Sequence, residues 1–242
     1  MSDGLSPVRD DAAEALFEYR KRMNDFQLRP ETSALVIVDL QHGSAGRAGF
    51  TDVYNAIGYG DIAEAYLERI SSVVVPHVQT LQAAFRSVGA PVIFLTVGTL
   101  TGDYSDMPPR FRRAVEHWRE RGIEPPYAKF GTKEMTVLEE IAPLPGEPVI
   151  ATVGASGFTA STLERLLWNL GSRELVFAGV ATNYCVQSTL RDAADRGFDC
   201  VLAEDACADV TPEIHDLGVK SSSPFCRVAT SAEIARELLE NA

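Results

Sequence analysis

Two hydrophobic patterns alternate along this chain. Short, almost unbroken apolar runs rich in β-branched and aromatic residues are separated by longer stretches whose apolar positions recur every three or four residues. The unbroken runs suit strands buried on both faces of a parallel sheet, and the longer spacing suits amphipathic helices that cover it. Strands are predicted at Ala34–Leu40 (ALVIVDL), Pro91–Val97 (PVIFLTV), Val149–Val153, Leu175–Ala178, Cys200–Ala203 and Cys226–Ala229. Helices are predicted over Val8–Phe26, where Ala12, Leu16, Tyr19 and Met23 share a face, over Ile62–Val88 with a bend at Pro76, and over Arg110–Arg121. Lys133–Ile141 reads as a short helical piece, and Thr159–Gly171 as a helix closed by Gly171 at C′. Further helices start at Cys185, at Thr211-Pro212 (a capping residue before a first-turn proline) and at Ser231. Gln41–Asp61 reads instead as a long Gly-rich loop carrying Phe50, Tyr54 and Tyr59, and loops of that length commonly wall or cover a pocket.

Six strands alternating with helices predict a three-layer α/β/α, Rossmann-like domain with a parallel sheet and right-handed crossovers. No repeat, linker or shift in composition divides the chain, so residues 1–242 read as one domain, a leading helix within 1–30 and an α/β core over 31–242. In such sheets ligands bind at the carboxyl ends of the strands, where the strand order reverses. With the order 3-2-1-4-5-6, strands one and four meet at that point.

Composition narrows the function. The chain is 45% hydrophobic and 23% charged, as globular proteins are, and its net charge of −12 argues against a nucleic-acid or anionic-membrane partner. No apolar run is of membrane length, and no basic-then-apolar segment marks the N-terminus for export. The cysteines at 185, 200, 207 and 226 form no CxxC pair and have no histidine at zinc-knuckle spacing. They read as reduced thiols of a cytoplasmic protein.

The stretch Glu174–Ala194 (ELVFAGVATNYCVQSTLRDAA) carries the candidate chemistry. A buried strand ends at Gly179, Thr182 and Asn183 are good N-cap types, and Val186, Leu190, Ala193 and Ala194 follow at helical spacing. Cys185 then stands in the first turn of a helix, where free N–H groups and the dipole favour thiolate. Its other reading is a small core residue. Asp39 ends strand one: across the switch point it can take the thiol proton while Cys185 attacks an electrophilic carbonyl, or it can simply cap nearby backbone.

These residues resemble the isochorismatase-like cysteine hydrolases from about Thr32 to Glu240. The resemblance is carried by ALVIVDLQ (34–41), APLPGEPVI (142–150), SGFTASTLERLL (156–167), GVATNYCV with STLRDAADRGF (179–198) and EDAC (204–207). It implies a six-stranded isochorismatase-like hydrolase fold and hydrolysis of a small amide, ureide or carbamoyl compound through a thioester; some members cleave a vinyl ether instead. It places the family aspartate on Asp39 and the nucleophile on Cys185. It also implies a cis peptide between Val180 and Ala181, with the N–H groups of Ala181 and Cys185 as the oxyanion hole.

One departure matters. The family's catalytic lysine aligns with Thr152, which cannot hold a thiolate by attraction. Three accounts compete: another cation reaches in (Lys129, Lys133 or Arg47), His42 serves as the base, or the fold is kept for binding with little catalysis. The metal site of the nicotinamidase branch needs several histidines after strand one. This chain has only His42 there, so no metal and no cofactor are expected. Gln41, His42, Phe50, Tyr54, Phe158 and Tyr184 are the candidate substrate contacts, while Trp118 and Trp168 read as structural. The resemblance further implies assembly into homodimers or homotetramers.

Overall fold

A computed structural model of the chain describes residues 15, 18–19, 22–125 and 127–242, apart from the side chains of 48–50 and 52. Most of the expected leading helix lies outside the described residues; within them Ala15, Glu18 and Tyr19 are helical, Arg22–Asn24 forms a single 3-10 turn and Asp25 to Arg29 is not helical.

The strands are β1 (Ser33–Val38), β2 (Val92–Val97), β3 (Val149–Thr152), β4 (Glu174–Val180), β5 (Asp199–Ala208) and β6 (Arg227–Ala229). All pairings are parallel, as the alternation predicts, and the order is β3-β2-β1-β4-β5-β6, the one in which strands one and four are neighbours. Every residue of β1 and β4 is buried, which is why their sequences lack polar alternation.

The α-helices are α1 (Arg47–Ala56), α2 (Gly60–Arg69), α3 (Val75–Ser87), α4 (Pro109–Glu120), α5 (Leu163–Asn169), α6 (Gln187–Asp195), α7 (Pro212–Ser222) and α8 (Ser231–Glu240), besides one helical turn at His42–Ala45. Alternate residues of β1 feed two cores. Leu35 and Ile37 pack with Val78, Leu81, Phe85, Ile234 and Leu238 from α3 and α8. Ala34, Val36 and Val38 pack with Leu163, Leu167 and Leu190 from α5 and α6. Fully burying each larger side chain contributes roughly 1.5–3 kcal/mol. Helix α8 starts in a full capping box, Thr230 accepting from Glu233 N and the Glu233 carboxylate accepting from Thr230 N.

Several elements differ from expectation. The segment expected as a loop over Gln41–Asp61 is mostly helical, comprising the His42–Ala45 turn and α1. The long helix over Ile62–Val88 is broken by a π turn at Ile70–Val74, just before Pro76, whose missing N–H and bulky ring disfavour a regular turn there. The Lys133–Ile141 piece is two separate 3-10 turns. Helix α5 begins only at Leu163, because Gly154–Thr162 forms turns. Strand β5 runs on to Ala208, with an irregularity in its pairing to β4 between Phe177 and Gly179.

Gly179 sits where β4 passes close to the β1 backbone. Its φ is +123°, and a Cβ there would lie 2.0 Å from the Val38 carbonyl oxygen. Gly179→Ala is therefore expected to destabilise the fold by about 3 kcal/mol or more, read as a lowered urea midpoint.

Candidate active site

Parallel pairing in register sets Val38 beside Gly179, so the chain leaves β1 and β4 at neighbouring points. Asp39 follows β1, donates its N–H to Leu95 O at 3.0 Å and adopts a left-handed φ of 51°. On β4 the Val180–Ala181 peptide is cis. The chain then turns through Thr182–Val186, with Tyr184 N and Val186 N both donating to Ala181 O. This turn brings Cys185 to Asp39, and the thiol donates a hydrogen bond to the carboxylate.

Both groups are buried, at 3% and 7% exposure, and burial dominates their electrostatics. It pushes Asp39 up to about 7, against the thiol hydrogen bond, which acts to lower it. Burial first, and the Asp39 charge second, push the Cys185 thiol well above its usual range. The proton therefore rests on sulfur. The expectation that a helix start would favour thiolate fails here: Cys185 lies in the π turn, α6 begins only at Gln187, and desolvation outweighs the backbone dipoles.

The turn is held from behind. Asn183 N donates to Asp209 Oδ2 at 2.7 Å, and the Thr182 hydroxyl sits 2.8 Å from His215 Nδ1. Burial, then the nearby Arg69, lower the His215 pKa and keep the ring neutral. Thr189 Oγ1 donates to Cys185 O at 2.7 Å and accepts from Gly157 N, tying α6 to the turn before α5.

Asp39 and Cys185 open into a cavity of about 490 Å³ over the carboxyl ends of the strands. Val180, Ala181, Asn183 and Asp209 line its floor and side, and Tyr54, Tyr66, Phe111, Trp118, Tyr127 and Tyr184 supply aromatic walls. Helix α4 reaches over this edge through a small core of its own, Tyr104, Met107, Phe111 and Val115. Its approach is braced by Asp106, which accepts from Thr99 Oγ1 and Leu100 N.

The structure distributes the expected site residues unevenly. Tyr54 and Tyr184 line the cavity. The side chain of Phe50 lies outside the described residues. Gln41 does not line the cavity: its amide accepts from Val97 N at 2.7 Å and donates to Val97 O at 2.8 Å, clasping the ends of β1 and β2. His42 lies 2.9 Å from Glu139 and does not line the cavity that holds Cys185. Phe158 belongs to the core beneath α5, stacked near Phe198 and under Arg196. Thr152 is buried at the end of β3, its hydroxyl donating to Thr96 O at 3.2 Å, and does not line the cavity.

None of the three suspected cations replaces the lysine. Lys129 pairs with Glu124 at 2.9 Å, Lys133 with Glu139 at 3.5 Å and Arg47 with Glu64 at 2.6 Å. The cation whose charge does reach Cys185 is Arg110, which opposes the thiol's upward shift. It stacks on Phe111 and donates to the Tyr184 hydroxyl at 3.3 Å. Sequence reading passed over Arg110 because a basic residue in a polar helix carries no signal of its own. Asp209 carries no signal while β5 is expected to end at Ala203; with the strand running to Ala208, a carboxylate just beyond it is the same signal that marks Asp39. Trp118, read as structural, faces the cavity. No group of three or more His, Cys, Asp or Glu is placed to hold a metal ion among the described residues, and none of their helices is long and apolar enough to cross a membrane.

The ureidoacrylate amidohydrolase RutB of Pseudomonas syringae pv. syringae (strain B728a) is 30% identical over 202 residues, covering 81% of this chain and 78% of that protein. Among solved structures, a cysteine hydrolase from Pseudomonas syringae pv. phaseolicola 1448A superposes with a TM-score of 0.74 at 20% identity, covering 90% of this chain and 97% of that one. N-carbamoylsarcosine amidase from Thermoplasma acidophilum superposes with a TM-score of 0.57 at 22% identity, covering 83% and 96%. The Isochorismatase domain model matches residues 33–233, nearly the whole described α/β core, and the chain accordingly belongs to the isochorismatase family.

Proposed function

We propose that this protein is a cysteine hydrolase that opens a C–N bond of a small amide, ureide or carbamoyl compound through a thioester on Cys185. The observation that carries this reading is the Cys185 thiol hydrogen-bonded to a carboxylate whose pKa lies near 7, at the floor of a cavity of small-molecule size. The RutB relative, named an amidohydrolase, and the carbamoylsarcosine amidase fold support the bond type.

The chemistry follows from where the proton rests. As Sγ attacks the carbonyl carbon, Asp39 takes the thiol proton, so no free thiolate has to exist beforehand. The oxyanion of the tetrahedral intermediate is received by the N–H groups of Ala181 and Cys185, donors of a kind typically worth about 10²–10³ in rate. Collapse breaks the C–N bond, and the departing nitrogen collects the proton from Asp39. Water then attacks the thioester with Asp39 again as base, which releases the acid and restores the thiol. In this scheme the role of the family lysine is not transferred to another side chain. A general base matched to neutral pH replaces a preformed ion pair.

A second reading has one observation in its favour. A carboxyl with a pKa near 7 is still half protonated at neutral pH, which suits acid-catalysed cleavage of a vinyl ether without a nucleophile. The buried, unactivated thiol equally suits a protein that binds without turnover. The experiments below separate all three.

Mass spectrometry after mixing with a pool of simple amides and ureas is expected to trap an acyl adduct on Cys185. Cys185→Ala is expected to lower kcat/KM by at least about 10³-fold. Absence of any adduct, with turnover intact in Cys185→Ala, would leave the nucleophile reading without support. In the pH dependence of kcat/KM, Asp39 acting as base predicts a rise through about pH 7 to a plateau. Asp39 acting as acid predicts a fall through the same pH, and Asp39→Asn is expected to cost about 10²–10⁴ in either case. Stability offers an independent check. The folded pKa of Asp39, about 7, exceeds its unfolded value near 4, so the native state holds a proton in that window which the unfolded chain releases. Stability contributed by this group is present below about pH 4 and lost as pH rises to about 7. Asp39→Asn removes that loss and is expected to raise Tm at pH 8 by at least about 3 °C, with little difference at pH 4.

A further inference from the structure

The charged side chains that line the cavity, among the described residues, are all acidic: Asp39 and Asp209, with no Lys, Arg or His between them. Asp39 is committed to the thiol. Asp209 is not committed to the reaction. It follows β5, is 6% exposed and faces the same space as Cys185. Its two oxygens accept from Asn183 N at 2.7 Å and from Val210 N at 2.9 Å. A carboxylate has about four acceptor directions, so about two remain for another donor. Its charge is felt across the cavity, where it adds to the upward shifts of Tyr54 and Tyr66.

An anionic group entering this space would meet two carboxylates in low dielectric, and Arg110, the cation whose charge reaches Cys185, is not among the side chains that line it. That is a strong discrimination against acids. A cationic group would find a charged acceptor in Asp209 and, in the lining beside it, Trp118 and Tyr127, aromatic rings of the kind that attract cations. We propose that the site takes an amide, ureide or carbamoyl compound that carries an ammonium or guanidinium group, bound by Asp209. The bond that is broken rests on the hydrolase reading above; the charge that is bound does not. Such a substrate also offsets the Asp209 charge that helps to hold the proton on Cys185, so binding itself moves the thiol toward reaction. It thereby brings into the cavity positive charge that Thr152 does not supply.

The test uses three ureas matched in size: N-(4-aminobutyl)urea, N-pentylurea and 4-ureidobutanoate. Their kcat/KM values are measured with the wild-type protein, and their affinities with Cys185→Ala by calorimetry at pH 8. The expected order in both is cation, neutral, anion, with the cation favoured over the neutral compound by about 10–100-fold. Asp209→Asn keeps an oxygen for Asn183 N and removes the charge. It is expected to bring the cation-to-neutral ratio close to one, and because the ratio is taken within one protein, a general loss of activity cancels. A merely structural Asp209 would leave that ratio unmoved, and this outcome overturns the proposal. Equal binding of the three ureas, preference for the anion, or no binding of any also overturns it, and leaves the hydrolase reading to be judged on other amides. Tight, Asp209-dependent binding of the cation with no turnover and no adduct upholds the proposal and ends the hydrolase reading instead.

Discussion

The hydrogen bond between the Cys185 thiol and the Asp39 carboxylate depends on a feature of the sheet more than of either residue. Strands β1 and β4 lie side by side only because the order reverses between them, and their in-register pairing brings both exits to one place. Gly179 allows the close approach, Gln41 clasps the neighbouring end of β2, and Asp209 and His215 hold the turn that carries the sulfur. Without these supports the two groups would sit on separate loops, exposed and unable to shift one another's proton affinity.

Burial then decides the chemistry. In water a carboxylate near pKa 4 and a thiol near 8.5 would exchange a proton only with difficulty. Taken out of water together, the carboxyl rises to about 7 and the thiol rises as well, so the pair keeps one proton and one negative charge. A lysine in the same space would draw the proton off sulfur. Thr152 instead turns its hydroxyl to the β2 backbone, and the cations that might have compensated are paired with glutamates elsewhere. The cavity is left acidic and aromatic, and that character bears on which small molecules it admits.

Much of this was readable in the chain. The apolar runs ALVIVDL and PVIFLTV could only be buried strands, and the alternation of strands with helical spacing dictated a parallel sheet. Asp39 stood out as a carboxylate at the end of such a run, and Cys185 as a cysteine at the expected start of the helix that follows another. Legibility failed where local signals compete. The glycines of Gln41–Asp61 suggested a loop, yet packing over the cavity makes much of it helical. Helix α5 starts four residues later than the expected Thr159, because the leucine spacing of Leu163, Leu166, Leu167 and Leu170 marks a helical face and not where the helix begins.

The sequence by itself determined the class of fold and marked Asp39 and Cys185, because periodicity and strand-end position are local properties; the strand order that brings the two together belongs to the packed sheet. Only the tertiary structure decided what those residues can do. Whether a thiol is ionised, whether Gln41 or His42 faces a ligand, and whether Asp209 or Arg110 belongs to the site depend on desolvation and on neighbours distant in the chain. Both are set when segments more than a hundred residues apart are packed together, as Asp39 and Cys185 are here.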